Sequence, residues 1–259
     1  MDLEGINLDI LVKDIEFSIG TNNILKGASI EVGKKEFIGI IGPNGSGKST
    51  LLKCIYRVLK PDKGCIFLDN EHLNRMSIKE SAKKMAVVSQ HNYYNFDFSV
   101  EEVVLMGRSP HKKSLERDNT KDYEIVRDSL EKVGMYDFRK RSFSTLSGGE
   151  QQRVILARSL AQQTKCIILD EPTNHLDIKY QMQLLNIVKE LNLTVISAIH
   201  DLNIASMYCD KIYAIKDGNI IASGTPEEVL SKEFIKDTYE VDVEIIKDSK
   251  GQMHILYSR

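Results

Sequence analysis

Nine consecutive residues, Gly42-Pro43-Asn44-Gly45-Ser46-Gly47-Lys48-Ser49-Thr50, have the spacing G-x-x-x-x-G-K-[ST] of a phosphate-binding loop. The chemistry of such a loop explains its residue types. Glycines let successive backbone N–H groups turn inward onto phosphate oxygens, and a helix N-terminus adds the positive end of its dipole. Lys48 is placed to reach the outer phosphates, and the Ser49 hydroxyl is a ligand for Mg²⁺. A second run, Cys166-Ile167-Ile168-Leu169-Asp170-Glu171, is apolar until it ends in two acids. Asp170 can hold Mg²⁺ through its water shell, and Glu171 can take a proton from an attacking water. Alone, that pattern is better explained by an acidic turn after a strand, and the phosphate-binding loop is what favours the catalytic reading. The run Leu146-Ser147-Gly148-Gly149-Glu150 is more specific. Ser147 and Glu150 have capping-box spacing, but two glycines in a first helical turn cost about 1 kcal/mol each relative to alanine. A cap does not call for them, whereas bare N–H groups approached closely by a phosphate do.

These residues need elements to hold them. Phe37-Ile38-Gly39-Ile40-Ile41 before the loop reads as a strand and Leu51-Leu52-Lys53-Cys54-Ile55 after it as a helix. Strands are expected at 8–12, 15–19, 28–32, 36–41 and 65–68, then at 86–89, ending in Gln90. Helices start at the box-spaced pairs Ser77/Glu80 and Ser99/Glu102, and a polar helical stretch covers about 118–133. Beyond it, helices at 148–161 and 178–191 alternate with strands at 166–169 and 194–199. The two strands are unbroken apolar runs, as in a parallel sheet buried on both faces. Alternating strands and helices imply an α/β core with right-handed crossovers. Thr225-Pro226-Glu227-Glu228 opens a short terminal helix with proline at its first position.

Composition bounds the function classes. The chain has 259 residues, 42% hydrophobic, with a formal net charge of −2, enough for a full core in one or two domains. Nothing in that balance favours nucleic acid, and the pairs Lys34-Lys35, Lys83-Lys84 and Lys112-Lys113 read as solvated faces. No apolar run approaches the ~20 residues of a membrane span, and Met1-Asp2-Leu3-Glu4-Gly5 lacks a signal-peptide layout. The expectation is a soluble, cytosolic chain. Cys54, Cys65, Cys166 and Cys209 are too irregularly spaced for a zinc site or a disulfide framework. Cys54 and Cys166 are expected as buried, reduced thiols.

Gly42–Thr50, Leu146–Glu150 and Cys166–Glu171, in that order, resemble the nucleotide-binding subunit of an ABC transporter over nearly the whole chain. The resemblance implies a P-loop NTPase core of the ABC ATPase type: one α/β domain with a mostly parallel sheet and an antiparallel β subdomain. It also implies an inserted helical subdomain at about 91–160 and a short C-terminal extension at about 226–259. ATP and Mg²⁺ are the cofactors it implies. Further positions match singly. Gln90 resembles the glutamine that contacts Mg²⁺ and senses the membrane partner. Asp177, in Asn174-His175-Leu176-Asp177, resembles the acid of the loop that crosses the dimer interface, and His200 resembles the switch histidine at the γ-phosphate. Ile19 stands where the family usually stacks an aromatic ring on adenine, so base selectivity, GTP tolerance included, stays open. The resemblance implies a head-to-tail homodimer, with each ATP between Lys48 of one subunit and Ser147-Gly148-Gly149 of the other. It places that dimer on the cytoplasmic face of the membrane, against permease subunits served by an extracytoplasmic binding protein.

Local features point to a branch. The 56 residues between Gln90 and Ser147 leave no room for a long coiled-coil insertion. Val103-Val104-Leu105-Met106-Gly107-Arg108-Ser109-Pro110-His111 resembles the Gly-Arg-x-Pro-His segment of ATPases that import iron–siderophore complexes, haem and cobalamin. Metal-chelate import leads; an ATPase for a zinc, manganese or drug system, and a non-transport regulatory ATPase, are the alternatives. Tyr93-Tyr94-Asn95-Phe96-Asp97-Phe98 reads either as core or as a groove for a permease helix. On the groove reading Arg108 is exposed, and reversing its charge is expected to spare ATP binding while weakening permease association.

Overall fold

The computed structural model describes residues 8–89, 97–113, 115–172, 174 and 176–258. The chain divides into two units, Met1–Arg75 with Leu193–Arg259, and Met76–Asn192.

The first unit opens with a long antiparallel pair, β1 (Leu8–Ile19) and β2 (Asn22–Gly33). The sequence suggests a break near residue 13, yet β1 runs through it. Asp14 takes φ 48°, the register shifts between Val12 and Ile15, and the Asp14 amide donates to Ser29 Oγ at 2.8 Å. What reads as a gap in the apolar pattern is a β-bulge. With β4 (Lys63–Leu68) and β5 (Glu71–His72) these strands form a sheet of order β2-β1-β4-β5.

The same unit holds β3 (Phe37–Ile41), β8 (Thr194–Ala198), β9 (Lys211–Lys216) and β10 (Asn219–Gly224), in the order β10-β9-β3-β8. β3 is parallel to β8 and to β9, and every residue of β3 and β8 is buried, as the apolar runs predict. Helix α1 (Lys48–Ile55) leaves the end of β3, and α7 (Leu202–Tyr208) connects β8 to β9. β9 returns as β10 through Asp217-Gly218, both at positive φ, the dipeptide that a tight hairpin favours. Tyr213 on β9 ties the two layers together, its hydroxyl accepting from the Glu31 amide and donating to the Glu31 carbonyl, each at 3.0 Å. The unit ends with α8 (Pro226–Val229), α9 (Lys232–Tyr239) and the hairpin β11 (Val243–Lys247)–β12 (Met253–Tyr257). The box at Thr225 forms as expected. Helix α9 goes unread in the sequence because Ser231 caps it without a reciprocal Glu or Gln.

The second unit contains α2 (Ile78–Lys84), β6 (Met85–Val88), α3 (Val100–Leu105), a 3-10 segment at Met106–His111, α4 (Thr120–Lys132), α5 (Gly148–Ala161), β7 (Cys166–Asp170) and α6 (Ile178–Glu190). β6 and β7 pair in parallel. The boxes at Ser77, Ser99 and Ser147 all form, and Asn119 with Asp122 builds another that a search for Ser/Thr and Glu/Gln misses. Helices α3, α4 and α5 pack on one another, and Val103, Val104, Val126, Leu130, Val154 and Leu156 along them are buried. Among the described residues no helix is long and apolar enough to cross a membrane.

Candidate functional site

The loop between β3 and α1 owes its path to its glycines. Gly42 takes φ 150°, and a Cβ there would lie 2.0 Å from the Ile215 carbonyl oxygen. Gly47, at φ 109°, N-caps α1, while Gly45, at φ 76°, faces open space. Lys48 is 4% exposed, and its ammonium folds back to donate to the carbonyls of Gly42 at 2.8 Å and Pro43 at 2.9 Å. A phosphate is an anion that this buried cation suits. The Ser46 hydroxyl oxygen is also buried, with no hydrogen-bond partner among the described residues. Of the nine α-helices among those residues, seven have a side chain accepting from their first turn. The exceptions are α1 and α6. The amino end of α1 thus follows a glycine and not a capping Ser, Thr, Asn or Asp, which suits N–H groups that face an anion.

Two more site residues belong to this unit. His200 is exposed and follows β8, between Ile199, whose amide donates to the Ile40 carbonyl at 3.0 Å, and Asp201, which caps α7 by accepting from the Asn203 amide at 2.8 Å. Its backbone is thus held on both sides. Ile19 closes β1 opposite Asn22 and is 62% exposed.

In the second unit, Asp170 ends β7 and is buried. Glu171 follows at φ 54°, a left-handed conformation uncommon for glutamate and of the sort stored at functional sites. The Asn174 amide donates to Glu171 Oε2 at 2.5 Å, and the Asn174 backbone N–H donates to the Glu171 carbonyl at 3.3 Å. Asn174 thus orients a carboxylate for which the sequence offered no orienting group; the signal available was an amide three residues after the acid. Ser147 donates through its amide and its hydroxyl to Glu150, both at 2.8 Å, which holds the Glu150 carboxyl below its ordinary range. The two glycines have different reasons. A Cβ on Gly148 would meet nothing within 4 Å, so space at that position is open to a ligand. A Cβ on Gly149 would lie 2.8 Å from the Tyr180 ring, a packing constraint that the sequence does not display. Asp177 sits at the N-cap of α6, yet its side chain does not cap the helix.

Gln90, Tyr93, Tyr94, Asn95, Phe96 and His175 lie outside the described residues. The expectation for Arg108 fails. It is 6% exposed, paired through Nε with Asp122 at 3.1 Å and bonded to the Ala161 carbonyl at 2.6 Å. The segment containing it is a tight 3-10 turn with Gly107 against α5, so the guanidinium points inward. None of the four cysteines is in a disulfide, and Cys54 and Cys166 are buried as expected. Burial, with the charge of Asp62, pushes the Cys54 thiol up to about 11.

A glycine-rich loop feeding an uncapped helix, with strand-end acids further along an α/β chain, defines an ATPase of the phosphate-binding-loop class. Residues 25–174 match the ABC transporter family, and the chain belongs to that family as one of its ATP-binding, ATP-hydrolysing domains. It is 39% identical to the petrobactin import ATP-binding protein FpuD of Bacillus anthracis, over 91% of this chain and 88% of that one. It is 43% identical over 229 residues to the ABC transporter ATP-binding protein YvrA of Bacillus subtilis, which has no assigned function. The match takes in 86% of this chain but spans about half, 52%, of YvrA. Among solved structures it is similar to a metal-chelate type ABC transporter in an inward-facing conformation. The TM-score is 0.86 at 25% identity, over 98% of each chain.

Proposed function

We propose that this chain is the ATP-hydrolysing subunit of an importer that brings a metal chelate, such as a ferric siderophore, haem or cobalamin, through a membrane permease. The observation that carries the reading is the similarity, along almost the full length, to a petrobactin import ATPase and to a metal-chelate type transporter. The Gly107–His111 segment adds local support.

The site residues take these roles. Lys48 and the backbone N–H groups of 44–50 hold the β- and γ-phosphates. Ser49 and Asp170 offer a hydroxyl and a carboxylate, hard oxygen donors that fit Mg²⁺, which binds through a few protein oxygens together with phosphate and water. When bound, Mg²⁺ would neutralise developing phosphate charge. Glu171, steadied by Asn174, accepts a proton from the attacking water as the γ-phosphoryl group passes to its oxygen, leaving ADP and phosphate. His200 contacts the γ-phosphate, and Gln90 reports its presence towards the permease. Ile19 lies against the base.

Two copies close head to tail, so that Ser147-Gly148-Gly149 of one faces the ATP held by Lys48 of the other, with Asp177 at the crossing. The helices between about 91 and 160 form the inserted subdomain that meets the permease on the cytoplasmic face. An extracytoplasmic binding protein delivers cargo to that permease. Closed and open dimers differ in affinity for ATP, and that difference converts hydrolysis into motion. Affinity purification from membranes tests the assignment. Recovery of a multi-span permease whose vesicles take up a ferric chelate with ATP supports it; a permease for free zinc, manganese or a drug contradicts the cargo.

A further inference from the structure

The Gly107–His111 segment closes the far end of α5, the helix whose first turn, Ser147-Gly148-Gly149, is the signature assigned to ATP above. Arg108 Nη1 donates to the Ala161 carbonyl at 2.6 Å and to Gln163 Oε1 at 3.0 Å. His111 Nε2 donates to the Gln162 carbonyl at 2.8 Å. A Cβ on Gly107 would sit 2.1 Å from the Arg158 carbonyl oxygen, so glycine is what allows the approach. The carbonyls reached are those that a helix leaves unbonded in its last turn. Gln163, just past the C-cap of the helix, takes φ 56°, a position usually given to glycine, and its side chain is held by the same arginine. Gln162 in turn donates through Nε2 to the Met85 carbonyl at 3.0 Å, at the start of β6.

The other end of α5 is Ser147-Gly148-Gly149. At ~1.5 Å per residue, its 14 residues make a rod about 21 Å long. Fixing the carboxyl end of a rigid rod limits the tilt and rotation of the turn at its amino end. A guanidinium at the carboxyl end also complements the dipole whose positive pole that turn presents.

We propose that Arg108 and His111 are positioning residues: they cap the carboxyl end of α5 and thereby set the orientation in which Ser147-Gly148-Gly149 meets ATP. This rests on the nucleotide role assigned to that turn above. Arg108 also pairs with Asp122, so His111 is the cleaner probe. In the full chain carrying Glu171→Gln, we would measure melting temperature, ATP affinity of the subunit and ATP-driven dimerisation for His111→Ala, His111→Gln and Ser147→Arg. His111→Ala should leave subunit ATP affinity unchanged and weaken ATP-driven dimerisation about tenfold. His111→Gln, whose amide can still donate, should recover most of that loss. With Glu171 intact, His111→Ala should lower kcat while KM for ATP stays near its parent value. Normal dimerisation by His111→Ala, beside none by Ser147→Arg, would overturn the positioning role and leave the signature reading standing. Normal dimerisation by Ser147→Arg would remove the signature reading itself. If His111→Gln restores melting temperature but not dimerisation, the hydrogen bond to the Gln162 carbonyl does not set the turn and the proposal fails. If His111→Ala melts too low to assay, the Gln variant alone decides between these outcomes.

Discussion

Replacing Arg108 by glutamate should destabilise the protein severely. The side chain is 8% exposed and its partner Asp122 is 5% exposed. The substitution removes three hydrogen bonds, to Asp122, the Ala161 carbonyl and Gln163. It also sets a second carboxylate against Asp122 and a helix carbonyl, leaving Lys112 as the cation beside them. Breaking a buried ion pair by deleting one partner costs about 3–5 kcal/mol, a large share of a total stability of about 5–15 kcal/mol. At ~2–4 °C per kcal/mol for a chain of this size, the melting temperature should fall by roughly 6–20 °C. Arg108→Met, which deletes the charge without reversing it, should fall at the lower end. Melting followed by circular dichroism at neutral pH, in a folded-to-unfolded transition monitored for reversibility, checks the series. An Arg108→Glu protein that melts within ~2 °C of the parent would refute the burial argument. The surface-docking role first expected of Arg108 would then have to be reconsidered.

Other consequences follow from the same geometry. Burial pushes the Asp122 carboxyl up, but hydrogen bonds from Lys112, the Asn119 amide and Arg108 outweigh it and hold it at about 2, against an ordinary 3.8. A depressed carboxyl stabilises the fold above its unfolded pKa, so this contribution is complete above pH ~4 and lost as pH falls through about 2. Acid titration of Asp122→Asn should show a shallower loss of stability across that window, and an unchanged slope would remove Asp122 as its source. Lys48→Ala should weaken nucleotide binding itself, whereas His200→Ala should bind ATP and hydrolyse it slowly; isothermal titration beside phosphate release separates the two, and equal losses of affinity would contradict the roles. Ile19→Tyr should tighten ATP binding by about 0.5–1.5 kcal/mol and sharpen ATP over GTP, while unchanged dissociation constants for both would show that residue 19 does not face the base.

Local chemistry made much of this chain legible. Capping boxes at Ser77, Ser99, Ser147 and Thr225 announced helix starts because each joins two side chains to two amides over three residues. The apolar runs ending at Asp170 and Ala198 announced buried strands because both faces of a parallel sheet exclude water. What stayed hidden depends on groups far apart in sequence. Arg108 looked like a surface cation because nothing nearby in the chain shows Ala161 or Asp122 arriving around it. Gly149 looked like its neighbour Gly148 until Tyr180, on another helix, took the space. The Asp14 bulge looked like a strand end because its stabilising hydroxyl, Ser29, sits on the opposite strand. Asn174 passed as one residue of a motif, and its hold on Glu171 depends on a left-handed turn that composition does not reveal.

The central claim is that the carboxylate of Glu171 removes the proton from the attacking water, while the 42–50 loop binds nucleotide independently of it. Glu171→Gln keeps the shape and the contact with Asn174 and deletes the base. Single-turnover hydrolysis, with ATP affinity and oligomeric state measured on the same sample, tests this most directly. A general base is worth roughly 10²–10⁴-fold. The account predicts a hydrolysis rate lower by that factor, an unchanged ATP dissociation constant, and an ATP-bound dimer that persists on gel filtration. Hydrolysis by Glu171→Gln within a few-fold of the parent rate would contradict it.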